Sequence, residues 1–189
     1  MKVNKTLKPE MKTIITALFL TLFCFLASKA QTNMVYGEMH SIFLETPKDW
    51  VRATHQQLPY FIKPDKSDVS EDTYMYVYGL DYSFQPVADE WIEANNISMV
   101  EAFPDIKIDS LNLKFDNIVN EGYLTGNYTI VTYEYPNKKK EALLAIECRN
   151  TIATVVLAAK DAAEFDSYLN AFIELVESLK ILNTVLKEE

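Results

Sequence analysis

Two histidines, His40 and His55, and Cys148 are the side chains in this sequence best suited to act as base, nucleophile or soft metal ligand. The histidines fall in separate segments, and neither has a second ligand at the i, i+4 spacing that a helical zinc site uses. No Gly-x-Ser-x-Gly elbow and no cysteine–histidine signature supplies an oriented nucleophile. The reading is therefore of two partly exposed structural histidines and one small buried cysteine, with no catalytic residue, no metal site and no cofactor expected. Asp65, Asp68, Glu71 and Asp72 could offer oxygen ligands to calcium, but the EF-hand order and its glycine are missing, so an acidic solvated loop is expected. Asp89 and Glu93 read as one solvated helix face. Lys138, Lys139 and Lys140 read as a hairpin tip, with a docking patch for an acidic partner as the rival reading.

Tyrosine is the chemistry this chain has in quantity. Tyr74, Tyr76, Tyr78 and Tyr82 share one parity of one segment, and Tyr123, Tyr133 and Tyr135 line another. A tyrosine face suits either packing beneath a helix, the favoured reading, or a recognition surface or ligand groove. For the second case the candidate residues are Tyr74, Tyr76, Tyr78 and Trp91. Asn96-Ile97-Ser98 and Asn127-Tyr128-Thr129 match the glycosylation acceptor pattern, a triplet that is common by chance.

Charge narrows the partners. The chain of 189 residues carries 27 acidic and 18 basic side chains; residues 1–30 hold five lysines and one acid, which leaves 13 basic and 26 acidic groups, a net −13, on residues 31–189. Nucleic acid is disfavoured as a partner, because it needs a basic footprint. Four glycines leave little room for a glycine-rich phosphate cradle.

The elements that must position these residues begin after residue 30. Residues 14–27 form an apolar run preceded by Lys8 and Lys12 and followed by Ser28-Lys29-Ala30, the design of a secretory signal peptide cleaved after Ala30. The run is shorter than the roughly 20 apolar residues of a bilayer span, so no stable membrane span is expected after cleavage. Cys24 follows Phe23, which argues against a lipid anchor, and its removal leaves Cys148 without a disulfide partner.

Residues 31–189 read as one domain. Val35–Leu44 has strand character and breaks at Pro47; Leu58–Ile62 reads as extended; Thr73–Ser83 alternates as a strand with its tyrosines on one face. Pro86 suits a first helical position, opening a short helix to about Glu93 with an irregular extension to Ala102. Ile106–Phe115, Tyr123–Tyr135, Glu141–Cys148 and Ile152–Ala159 follow as a four-strand antiparallel meander. The last is apolar on both parities and so belongs in the middle of a sheet covered on both faces. Asp161-Ala162-Ala163-Glu164 has capping-box spacing and opens an amphipathic helix whose stripe is Phe165, Leu169, Phe172, Val176 and Leu179. The fold class expected is α+β, an antiparallel sheet of about six to seven strands flanked by helices.

This order of elements, with Ile42-Phe43-Leu44-Glu45-Thr46-Pro47-Lys48-Asp49-Trp50 near its start and a closing helix ending in Glu177-Ser178-Leu179-Lys180-Ile181, resembles the PsbP-like superfamily, including DcrB-type periplasmic proteins. The resemblance implies an α/β/α sandwich. It also implies protein binding, since members include extrinsic photosystem II subunits, a Ran-binding import factor and chaperones for type VI secretion effectors, and no family-wide catalytic residues carry over. The function expected is a periplasmic or secreted, monomeric, non-enzymatic module holding another envelope or secreted protein. The alternative is an extracytoplasmic carrier of a small apolar or amphipathic ligand in a cleft between helix and sheet.

Overall fold

The computed structural model describes residues 32–184; the signal-peptide reading of residues 1–30, Cys24 included, and the tail beyond Thr184 lie outside the described residues. Among the described residues ten strands and two helices follow one another: β1 (Thr32–Tyr36), β2 (His40–Glu45), β3 (Trp50–Arg52), β4 (Tyr60–Pro64), β5 (Tyr74–Asp81), α1 (Ala88–Ala102), β6 (Lys107–Ser110), β7 (Leu124–Glu134), β8 (Lys140–Cys148), β9 (Thr151–Ala159), α2 (Ala162–Glu177) and β10 (Lys180–Asn183). Seven strands form one antiparallel sheet in the order β3-β4-β5-β9-β8-β7-β6, and β1-β2-β10 form a second. The meander expected from the short links is the run β6-β7-β8-β9. As its two-sided apolar pattern demands, β9 occupies the centre of the large sheet with all nine residues buried.

The sheet has one core on each face. On the first, α2 packs across β9 and touches β2 of the small sheet. Phe165, Phe172, Leu175 and Val176 fill that interface, each at most 2% exposed, so the space beneath this helix is occupied by side chains. Each such side chain contributes roughly 1.5–3 kcal/mol relative to leaving it in water. On the second face, α1 lies over β7 and β8 and buries Ala88 and Ile92 against Val131, Tyr133, Leu143 and Ala145.

Caps and turns set the element ends. Asp161 accepts the Glu164 backbone N–H through Oδ1 at 2.9 Å, satisfying one of the unpaired donors of the first turn of α2. The Glu164 carboxylate turns away from the cap, taking the Thr73 hydroxyl and pairing with Lys160 at 2.6 Å, so only half of the expected capping box forms. Asp161→Ala is expected to cost about 1 kcal/mol of unfolding free energy, read as a lowered urea midpoint at unchanged slope. Asp49, at φ 62°, closes a turn in which the Trp50 N–H donates to the Pro47 carbonyl. The turn drops Trp50 into the core, edge-on to Tyr168 at 5.3 Å.

Several boundaries differ from the sequence reading. Val35–Leu44 is two strands: the chain turns at Gly37, whose N–H donates to the His40 carbonyl at 2.9 Å. Pro86 lies before the N-cap, which is Val87, and α1 runs unbroken to Ala102. The strand expected over Ile106–Phe115 stops at Ser110. Beyond it the Tyr128 hydroxyl accepts the Phe115 N–H at 3.1 Å and donates to the Leu113 carbonyl at 3.2 Å, so a side chain takes over the role of a ladder. The Glu177–Ile181 segment is a helix end followed by β10, because Lys180–Asn183 pairs with β2.

Candidate interaction surface

Alternation along β5 sends Tyr74, Tyr76 and Tyr78 to the second face, and the β4–β5 register sets Phe61 opposite Tyr76. The rings form a continuous ladder. His55 to Phe61 is 5.3 Å between centroids, Phe61 to Tyr74 5.1 Å, Tyr74 to Tyr76 6.1 Å and Tyr76 to Tyr78 5.9 Å, with tilts of 22–36°. Tyr82 and Phe84 extend the aromatic run past the end of β5, and Phe84 is 62% exposed. Because α1 packs chiefly on β7 and β8, the β4–β5 end of this face is left half-buried. Tyr76 borders the buried cluster beneath α1, and Trp91, half-buried on that helix, packs against the same cluster. The structure thus brings Tyr74, Tyr76 and Tyr78 into one ladder and puts Trp91 on the helix beside it.

Burial keeps the Tyr76 and Tyr78 phenols protonated. Burial, reinforced by the Glu141 carboxylate and then by Tyr78 and Tyr74, pushes Tyr76 far above the ordinary tyrosine range. Tyr135 is raised likewise, by burial and by Glu141, to which its hydroxyl donates at 2.7 Å. Burial alone would lower Lys139, but the Glu141 carboxylate at 2.6 Å and the bond to the Tyr74 hydroxyl at 3.1 Å raise it. The lysine triplet is therefore divided. Lys138 sits in the turn at φ 73°, Lys139 folds back over the Tyr74 and Tyr135 rings, and Lys140 lies 4.5 Å from the Phe165 ring centroid.

Tyr123 does not share a face with Tyr133 and Tyr135. A register shift between Leu124 and Tyr128 inverts the parity of β7, so Tyr123 packs in the first core and bonds Thr151 at 2.8 Å, while Tyr133 lies under α1 and bonds Asn95 and Asn96. Of the two glycosylation-type asparagines, Asn96 accepts the Tyr133 hydroxyl through Oδ1, and the exposed Asn127 donates its side-chain amide to Glu147.

His40 is 3% exposed, where the sequence suggested a partly exposed residue. Its Nδ1 lies 2.7 Å from Asp81 Oδ1, and the same carboxylate accepts the Thr151 hydroxyl at 2.5 Å and the Met39 N–H at 3.0 Å. A histidine, a carboxylate and a hydroxyl do converge, yet the imidazole is sealed between backbone segments: a Cβ at Gly37 or Gly79 would stand 2.3 or 2.4 Å from it. That packing leaves no room for a substrate and makes the cluster a bolt between the small sheet and β5. His55 lies apart, on the surface, with Nδ1 accepting the Gln57 N–H at 3.2 Å. Cys148 is buried, and burial raises its thiol to about 12, which suppresses the thiolate that redox or nucleophilic chemistry needs. Among the described residues, no group of three or more His, Cys, Asp or Glu side chains is placed to hold a metal ion. No helix there is long and apolar enough to cross a membrane.

Comparison with known proteins gives a fold. No family model and no curated protein matches the chain. The solution structure of cyanobacterial PsbP (CyanoP) from Synechocystis sp. PCC 6803 superposes with a TM-score of 0.51 at 11% identity, over 82% of this chain and 95% of that one. The fold is PsbP-like. The likeness extends to the architecture and to no individual side chain.

Within this PsbP-like domain, one polar group was invisible in the sequence. Glu147, 3% exposed on β8, receives the Ala88 N–H at 3.2 Å and the amides of Gln85 and Asn127. It caps α1 from β8, the strand beneath the helix, where Val87 offers no side-chain cap. No local spacing signals such a cap, since Glu147 and Ala88 are distant in the chain. Asp81 carries a pH consequence. Burial would raise its carboxyl, but the bonds from Thr151, His40 and Met39 outweigh that and hold it below the ordinary 3.8. A depressed carboxylate stabilises the fold fully above its unfolded pKa and ceases to do so as pH falls through the folded one. The stability difference between the native protein and Asp81→Asn should thus be constant near neutrality and narrow below pH 3.8, as measured by urea unfolding across an acid series.

Proposed function

We propose that this protein is an extracytoplasmic, non-enzymatic module that acts as a monomer and holds another envelope or secreted protein on the aromatic ladder of β4 and β5. The observation that carries the proposal is the half-open row of Phe61, Tyr74, Tyr76 and Tyr78 beside a helix that covers the other half of the same face. Amphipathic rings on a rigid sheet give large contact area at small entropic cost, the profile of an interaction hot spot. The secretory character of residues 1–30 supports export. The PsbP-like architecture agrees with a binding role. The filled interface beneath α2 offers the carrier alternative no enclosed chamber there; the clefts of about 250–400 Å³ are open ones, including one between the start of α1 and β7 lined by Ala88, Asp89, Tyr128 and Glu147.

The test is a photo-reactive phenylalanine analogue placed at Phe61, at Tyr74 and, as a control, at the exposed Ser167 of α2, with irradiation in the source cell. A discrete adduct from the two ladder positions and none from Ser167 is the expected result. Adducts from Ser167 alone would place the partner on the opposite face and overturn the proposal.

A further inference from the structure

The β4 end of the ladder opens into a cleft of about 330 Å³ lined by His55, Gln57, Leu58, Phe61, Glu71, Tyr74 and Tyr76. Four of these side chains are rings, and one is a carboxylate. Glu71 is exposed and forms no ion pair among the described residues. The cation beyond Tyr74, Lys139, is already neutralised by Glu141 at 2.6 Å, so it does not cancel the charge of Glu71. Rings in and beside this cleft take cations: Arg52 Cζ stands 5.6 Å from the Tyr60 centroid, and Lys139 Nζ already stands 5.3 Å from that of Tyr74, which leaves Phe61 and Tyr76 as the unoccupied rings of the cleft among the described residues.

We propose that this cleft receives an arginine side chain from the polypeptide held on the ladder, a refinement that rests on the interaction reading above. A guanidinium stacks its plane on an aromatic face while forking two N–H donors toward a carboxylate, which matches rings on the floor and Glu71 at the rim. An apolar occupant would cover Glu71 without pairing it, at a desolvation cost. Long-range charge agrees, since residues 31–189 carry a net −13 and would attract a basic segment before contact.

The experiment is a titration of ¹⁵N-labelled protein with the capped tripeptide Gly-Arg-Gly, with its citrulline isostere and with a neutral oligosaccharide as comparison probes. The arginine peptide should give saturable shifts at Phe61, Tyr74 and Tyr76. Both citrulline and the Glu71→Gln variant should weaken binding about five- to tenfold, the loss of one cation–ring and carboxylate contact. Glu71 is exposed, so its amide variant should retain the fold, and Tyr74→Leu supplies an independent second lesion with the same expected direction. Equal binding of citrulline, shifts scattered over other acidic surfaces, or ladder shifts from the oligosaccharide alone would overturn the proposal. The two readings fail separately. Adducts at Tyr74 without arginine binding leave the surface and remove its arginine, whereas arginine binding without adducts leaves a cation cleft and removes the partner surface.

Discussion

Phe172→Ala is expected to lower unfolding stability by about 3–5 kcal/mol, the loss for a large aromatic removed from a core that closes only partly over the gap. Phe172 is fully buried in the middle of α2 and belongs to the cluster that joins that helix to the large sheet and to Val35, Ile42 and Leu44 of the small one. Small domains hold only about 5–15 kcal/mol in total, so the variant should unfold at a much lower urea midpoint. Unchanged stability would mean that α2 does not seal the first face.

The second large effect belongs to the bolt between the sheets. His40→Ala is expected to cost about 2–4 kcal/mol, combining a cavity with a carboxylate that loses one of its donors. Gly79→Ala should also destabilise, by about 1–3 kcal/mol, because its new methyl meets the imidazole and forces repacking. The separation of 2.4 Å from that Cβ to His40 Nε2 is too short to be accommodated without movement. The double variant should cost clearly less than the sum of the two, since the alanine at 79 then has nothing to strike. Additive losses in a urea double-mutant cycle would contradict the packing described for His40.

Where sequence reading succeeded, the signal was local. The alternation of Thr73–Ser83 located β5 and its tyrosines, the two-sided apolar run located central β9, and the Asp161 spacing located the cap of α2. Where it failed, the cause was a partner far along the chain. Nothing near His40 announces Asp81, 41 residues away on the other sheet, and the histidine took the place of a half-exposed residue for want of that partner. The bulge in β7 inverts a parity that would otherwise have grouped Tyr123 with Tyr133. The apolar residues Leu111, Leu113 and Phe115 do alternate toward the first core, as a strand would, but the hydroxyl of Tyr128 takes the backbone bonds that a neighbouring strand would have supplied. The candidate surface was legible as a tyrosine row; its openness was not, because that depends on how much of the sheet α1 covers.

The central claim is that this sheet face is divided, one half sealed by α1 and the other left to meet a partner. Hydroxyl-radical footprinting of the protein, free and in its photo-captured complex, tests it most directly. Phe61, Tyr74 and Tyr78 should oxidise readily in the free protein and become protected in the complex, while Tyr60 and Tyr133, buried at 0% and 2% exposure, stay unmodified throughout. Protection confined to Met34, Tyr36 and Leu182 on the small sheet, with the ladder equally reactive in both states, would contradict the account.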